Sequence, residues 1–114
     1  MGKKKPPTPS SPPTAIQTIH AAERGNAGSV RKREEVTEAE AVERRKNGLD
    51  VVVCGPDKAA NKRLAMRIEI AAHGKAKYCP PQAGPRSLPH WHPDPRGEGD
   101  DGHGFYETDH RKAT

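Results

Sequence analysis

Aromatic side chains are scarce in this chain: one Trp, one Phe and two Tyr stand among 114 residues. Hydrophobic residues make up only 31% and the mean hydropathy is -1.02. Such a composition supports one small core, of the kind that supplies no more than roughly 3–5 kcal/mol. Two cysteines, Cys54 and Cys79, exclude a disulfide framework and read as reduced or packed thiols. No apolar run approaches the ~18 residues of a membrane span. Lys3, Lys4 and Lys5 lead into prolines rather than into the apolar stretch of a secretory signal. The Gly55-Pro56-Asp57 turn has neither the dinucleotide nor the P-loop glycine spacing, and the chain has no Cys-x-x-Cys.

What the chain has in quantity is proline, glycine and positive charge: 12 Pro, 11 Gly, and 20 Lys+Arg against 15 Asp+Glu. The formal charge of +5 and pI near 9.4 favour an anionic partner, a phosphate backbone, an acidic protein or an anionic membrane surface, without choosing among them; nucleic acid or an acidic protein is the expected partner, and no membrane. Residues 1–14 combine the lysine cluster with Pro, Ser and Thr and bury nothing. The stretch that follows has few apolar residues and a Gly25-Asn26-Ala27-Gly28-Ser29 interruption. Residues 1–36 are therefore expected to be a largely disordered basic tail and linker, and residues 37–114 a single small α/β domain, with α+β as the alternative.

Thr37-Glu38-Ala39-Glu40 reads as a capping box that opens a short surface helix, with Arg44, Arg45 and Lys46 at its negative end and Asn47-Gly48 as the stop. Leu49-Asp50-Val51-Val52-Val53-Cys54 is the most β-prone run, with the branched, uninterrupted character of a strand covered on both faces. After the Gly55-Pro56-Asp57 turn, Ala60, Leu64, Ile68 and Ala72 recur at steps of four, predicting a helix over residues 58–72 with Lys62, Arg63, Arg67 and Glu69 outward. Residues 75–79 alternate, so a βαβ unit follows. Residues 88–92 and 103–107 are expected to be extended, forming a short C-terminal β segment.

Chemistry concentrates at that end. In an extended segment His90 and His92 project from one face and Trp91 from the other. The Gly-flanked His103 can return to the same neighbourhood. Three imidazoles with Arg86 and Arg96 suit metal-independent phosphodiester cleavage, in which one ring removes a ribose 2′-OH proton, another protonates the leaving oxygen, and a cation steadies the phosphoryl charge. RNA is favoured over DNA because it carries its own nucleophile. Trp91 and Tyr106 are candidates to stack an unpaired base. The expected reaction needs no cofactor. Zinc is the alternative, with Cys54, Cys79, Asp94 or Asp109 completing the histidines, although no zinc-finger spacing occurs. A rival from another class is a non-enzymatic basic module that binds nucleic acid or an acidic protein.

Gly84-Pro85-Arg86-Ser87-Leu88-Pro89-His90-Trp91-His92-Pro93 and Gly102-His103-Gly104-Phe105-Tyr106 resemble the ending of C-terminal toxin domains of bacterial polymorphic toxins. In that group a βαβ-like beginning, here the run from Asp50 to Asp57, leads to a similar His- and Gly-rich close. The likeness covers roughly residues 38–107. It implies a module carried at the tip of a larger secreted effector, a nuclease acting in a competitor's cytoplasm, and neutralisation by an acidic cognate immunity protein. On that resemblance His90, His92 and His103 match the motif's histidines and Tyr106 its terminal aromatic. The chain departs from the pattern in having its own Met1 and no delivery region.

Overall fold

Branched residues extend the backbone and alternate across it, and the run Val51-Val52-Val53-Cys54 does both as strand β3 (Val51–Cys54). In the computed structural model, which describes residues 17–81, 84–94 and 102–114, β3 lies inside a six-stranded sheet. The other strands are β1 (Thr18–Arg24), β2 (Val30–Val36), β4 (Ala76–Cys79), β5 (His90–Pro93) and β6 (Gly104–Tyr106). Their spatial order is β2-β1-β3-β6-β5-β4. β3 and β6 are parallel and the other neighbours antiparallel. The last strand in sequence therefore occupies a central position.

Helices α1 (Glu38–Lys46) and α2 (Lys58–His73) cover one face. The capping box forms as its chemistry requires, with Thr37 Oγ1 accepting from Glu40 N at 3.1 Å and Thr37 N donating to the Glu40 carboxylate at 2.8 Å. Asp57 caps α2 by accepting from Ala59 N and Ala60 N. Ile19, Ala41, Val51, Val53, Leu64, Ala65, Ile68, Trp91 and Tyr106 make the core beneath the helices. Each fully buried Val or Ile here contributes about 1.5–3 kcal/mol. The second cluster, Ala22, Val30, Val52, Cys54, Leu88 and Phe105, lies on the opposite face. No helix covers it. The C-terminal segment crosses there, with Ala113 packed on the cluster and Thr114 exchanging backbone hydrogen bonds with Val30 and Lys32. No helix among the described residues is long and apolar enough to cross a membrane.

The mixed α/β architecture agrees with the sequence reading, and two parts of that reading change. Residues 18–36 are not a linker: they form β1 and β2, joined through a 3₁₀ turn. β2 is an edge strand whose run Arg31 to Glu35 is exposed throughout, a charged edge of the kind that blocks pairing with other chains. The expected β3-α2-β4 unit exists with parallel strands, but β6 and β5 lie between them.

Arg45, read as a dipole partner at the end of a surface helix, and Glu69, expected outward, are wholly buried and joined by two hydrogen bonds, Nε to Oε1 at 2.7 Å and Nη2 to Oε2 at 3.2 Å. Arg45 Nη1 also donates to Leu49 O at 3.0 Å, and His73 Nδ1 lies 2.6 Å from Glu69 Oε2. The reason is saturation: a buried ion pair with its remaining positions hydrogen-bonded avoids most of the cost of leaving water. Gly102, just before β6, packs against Arg45 of the pair. A Cβ at Gly102 would meet Arg45 Nη1 at 2.5 Å and Gly48 O at 2.6 Å, and Gly102 has φ +75°. Gly102→Ala therefore loses about 1–3 kcal/mol from backbone strain alone. A lowered urea midpoint with an unchanged slope is the expected readout.

Candidate active site

Pairing register decides what the histidine segment presents. Antiparallel β5 and β6 set His90 opposite Phe105 and Trp91 opposite Gly104. Directly paired residues share a face, so two steps further along His103 stands across from His92, and all three imidazoles project on the helix-free side. The ring centroids form a nearly regular triangle: His90 to His92 4.7 Å, His90 to His103 4.8 Å, His92 to His103 4.8 Å. The Phe105 ring stacks on His103 at 5.0 Å and meets His90 edge-on at 5.3 Å, forming an apolar floor.

Burial separates the three. His92 is 2% exposed and His90 5%, whereas the His103 side chain retains 15%. A cleft of about 200 Å³ opens onto His90 and His103, with Arg24, Gly25, Gly28, Ser87, Leu88 and Phe105 as its other walls. His92 is not among them. It stands behind the cleft as the third ring.

Two of the rings are held by oxygen acceptors. His90 Nδ1 lies 3.2 Å from Leu88 O, a contact that requires Nδ1–H to donate. His103 Nδ1 lies 3.2 Å from Asp50 Oδ1, and the same carboxylate oxygen accepts from His103 N at 2.7 Å. Asp50 Oδ2 in turn accepts from Arg24 Nε at 3.1 Å. A carboxylate on Nδ1 fixes the tautomer and turns Nε2 into the free base position. Asp50, at the entrance to β3, is thus the residue that sequence reasoning missed. Its signal was a lone charge immediately before an all-branched strand.

The expected cations and aromatics are distributed differently. Arg24 supplies the cation in the cleft, and its side chain is 47% exposed. Arg86 is exposed and lines an adjoining depression with Gly25, Asn26, Ser29, Arg31 and Thr114. Arg96 lies outside the described residues. Trp91 and Tyr106, expected to stack a base, face the helices: Trp91 Nε1 donates to Lys62 O at 3.2 Å and Tyr106 is wholly buried. Alternation forces this, since side chains between His90 and His92, and after Phe105, must point the other way. Burial pushes the Tyr106 hydroxyl well above the usual phenol range, and the neighbouring Tyr78 adds to it. Tyr106 is a neutral core residue.

The cysteines differ as well. Cys54 is buried, and desolvation, reinforced by the Glu107 charge, pushes its thiol up to about 12. Cys79 is half-buried at the edge of the histidine cluster. Asp94 and Asp109 are both exposed and do not join the group of ligating atoms found among the described residues.

No family model, curated protein or solved structure matches the chain. The site is therefore read from its own geometry. That geometry offers a hydrogen-bonded Asp-His pair, a second imidazole on the same cleft, an arginine between them and solution, and an apolar floor. Such a set can take a proton from one oxygen, give one to another, and hold an anion meanwhile.

Proposed function

We propose that this chain cleaves RNA phosphodiesters without a metal, with His103 as general base, His90 as general acid and Arg24 as the phosphate-binding cation. The observation that supports this most is the convergence of His103, backed by Asp50, and His90 on one cleft that also holds Arg24. His103 Nε2 takes the ribose 2′-OH proton and O2′ attacks phosphorus. The P–O5′ bond breaks as the His90 imidazolium, its buried Nε2 brought to the cleft by a turn of the ring when the strand seats, gives its proton to O5′, leaving a 2′,3′-cyclic phosphate and a free 5′-hydroxyl. Asp50 stabilises the imidazolium that forms on His103, and Arg24 offsets the charge that grows on the phosphoryl oxygens. His92 holds the two working rings apart and in register.

Around the cleft the surface suits a polyanion. Arg31 and Arg86 lie in one depression that shares Gly25 with the cleft, and Arg24 and Arg44 in another on the Asp50 side. Contacts to successive phosphates there position the strand without reading its sequence. On the toxin reading, the chain works in a target cell's cytoplasm as a module of a larger secreted effector. An acidic immunity protein would silence it by covering these arginines.

The test is incubation of purified protein with total RNA in EDTA. Cyclic-phosphate products are expected, and Arg24→Ala should lower the rate by roughly a hundredfold or more, while Arg86→Ala acts chiefly on KM. RNA left intact, with only salt-dependent association, overturns the proposal in favour of a non-enzymatic nucleic-acid binder. Cleavage that appears only on addition of a divalent ion overturns the metal-free mechanism.

A further inference from the structure

The inner side of the histidine cluster carries a second donor set, in which Cys79 and His92 move no proton in the cleavage scheme and His90 is shared with it. Strand β4 pairs with β5 so that Cys79 stands directly opposite His90, on the helix-free face. One sulfur from Cys79 and one nitrogen each from His90 and His92 lie within 4.8 Å of one another. We infer that Cys79, His90 and His92 form a binding site for a thiophilic divalent metal ion of the zinc class.

Zinc holds sulfur at about 2.3 Å and imidazole nitrogen at about 2.0–2.1 Å, so tetrahedral donors sit roughly 3.4–3.6 Å apart. The donor atoms need to draw in by roughly 1 Å, within reach of small side-chain rotations that leave both strands in place. The donor type selects the metal: one thiolate with two imidazoles suits zinc or cobalt and is a poor match for magnesium or calcium, which take oxygen ligands. The surroundings fit as well. The Nδ1–H of His90 donates to Leu88 O, the backbone contact that typically orients a ligating imidazole, and its Nε2 is buried in the cluster. The remaining tetrahedral position falls to water from the cleft or to His103, whose ring is 4.8 Å from both others.

The site draws on side-chain geometry and not on the cleavage reading, so an RNA assay that fails leaves it standing. If both hold, they compete, because a metal on His90 removes it from acid duty. The metal-bound form is then the inactive one.

Reduced, EDTA-stripped full-length protein titrated with Co²⁺ is expected to develop a sulfur-to-cobalt charge-transfer band with the intense visible bands of a tetrahedral site. Added Zn²⁺ should abolish both. Cys79→Ser should remove the sulfur band and weaken binding about a hundredfold or more, beyond the range seen when only an outer partner of a metal ligand is lost; Cys54→Ser should leave the spectrum unchanged. In the wild type, Zn²⁺ should slow iodoacetamide modification of Cys79, located by mass spectrometry. No sulfur band, a band that survives Cys79→Ser or is lost in Cys54→Ser, or equal alkylation of Cys79 with and without zinc would overturn the inference.

Discussion

Replacing His103 by Ala should lower kcat/KM for RNA by about 10²–10⁴-fold, the range for losing a positioned acid or base. The corresponding rise in barrier is about 3–5 kcal/mol. The fall should appear in kcat, since His103 touches the reacting proton and contributes little to holding the strand. Asp50→Asn supplies the companion measurement. An amide there can still accept from His103 N, but it no longer stabilises a positive ring and can favour the wrong tautomer, so roughly a ten- to hundredfold loss is expected with KM nearly unchanged. A purely structural Asp50 would lower the folded fraction and leave kcat per folded molecule intact. An unaltered kcat in folded Asp50→Asn, or a fully active His103→Ala, would rule out the Asp-His assignment.

The second large effect concerns stability and lies across the sheet from the cleft. Glu69→Leu leaves the wholly buried Arg45 without its carboxylate, and breaking a buried pair in this way costs about 3–5 kcal/mol. That loss is comparable with the entire stability of many small domains, so Glu69→Leu should be largely unfolded at ambient temperature. Arg45→Met on its own should also destabilise, though less, because His73 stays beside Glu69 at 2.6 Å. The double variant Arg45→Met/Glu69→Leu should recover much of the loss, since two apolar residues of similar volume need no pairing. Chemical denaturation of all four proteins gives the coupling directly. Additive single effects would show that the pair is not a unit.

The histidine triangle was legible in the sequence because period-two alternation is local: once residues 88–92 are taken as extended, His90 and His92 must share a face. The glycines around His103 then allowed its return. Asp50 was not legible as a partner, because its contact with His103 spans 53 positions and depends on the parallel pairing of β3 with β6. Trp91 and Tyr106 looked available for a base only while the opposite face had no covering. The helices fill that face. β2 escaped notice because an edge strand with charges on both sides carries no apolar rhythm, and β1 because two of its buried positions, Ala21 and Ala22, carry only a methyl group. Glu69 was assigned outward for a similar reason: apolar periodicity reads hydrocarbon and is blind to a polar residue whose partner is another helix's arginine.

The position of β6 has a consequence for when this protein can act. It is the last strand among the described residues, yet it slots between β3 and β5, and it brings His103 with it. Such distant pairings close late, after the entropy of a long loop has been spent. A nascent or truncated chain ending before residue 103 has neither the central strand nor the proposed base, so a cell that makes this protein would meet the proposed chemistry only once residue 103 has been added.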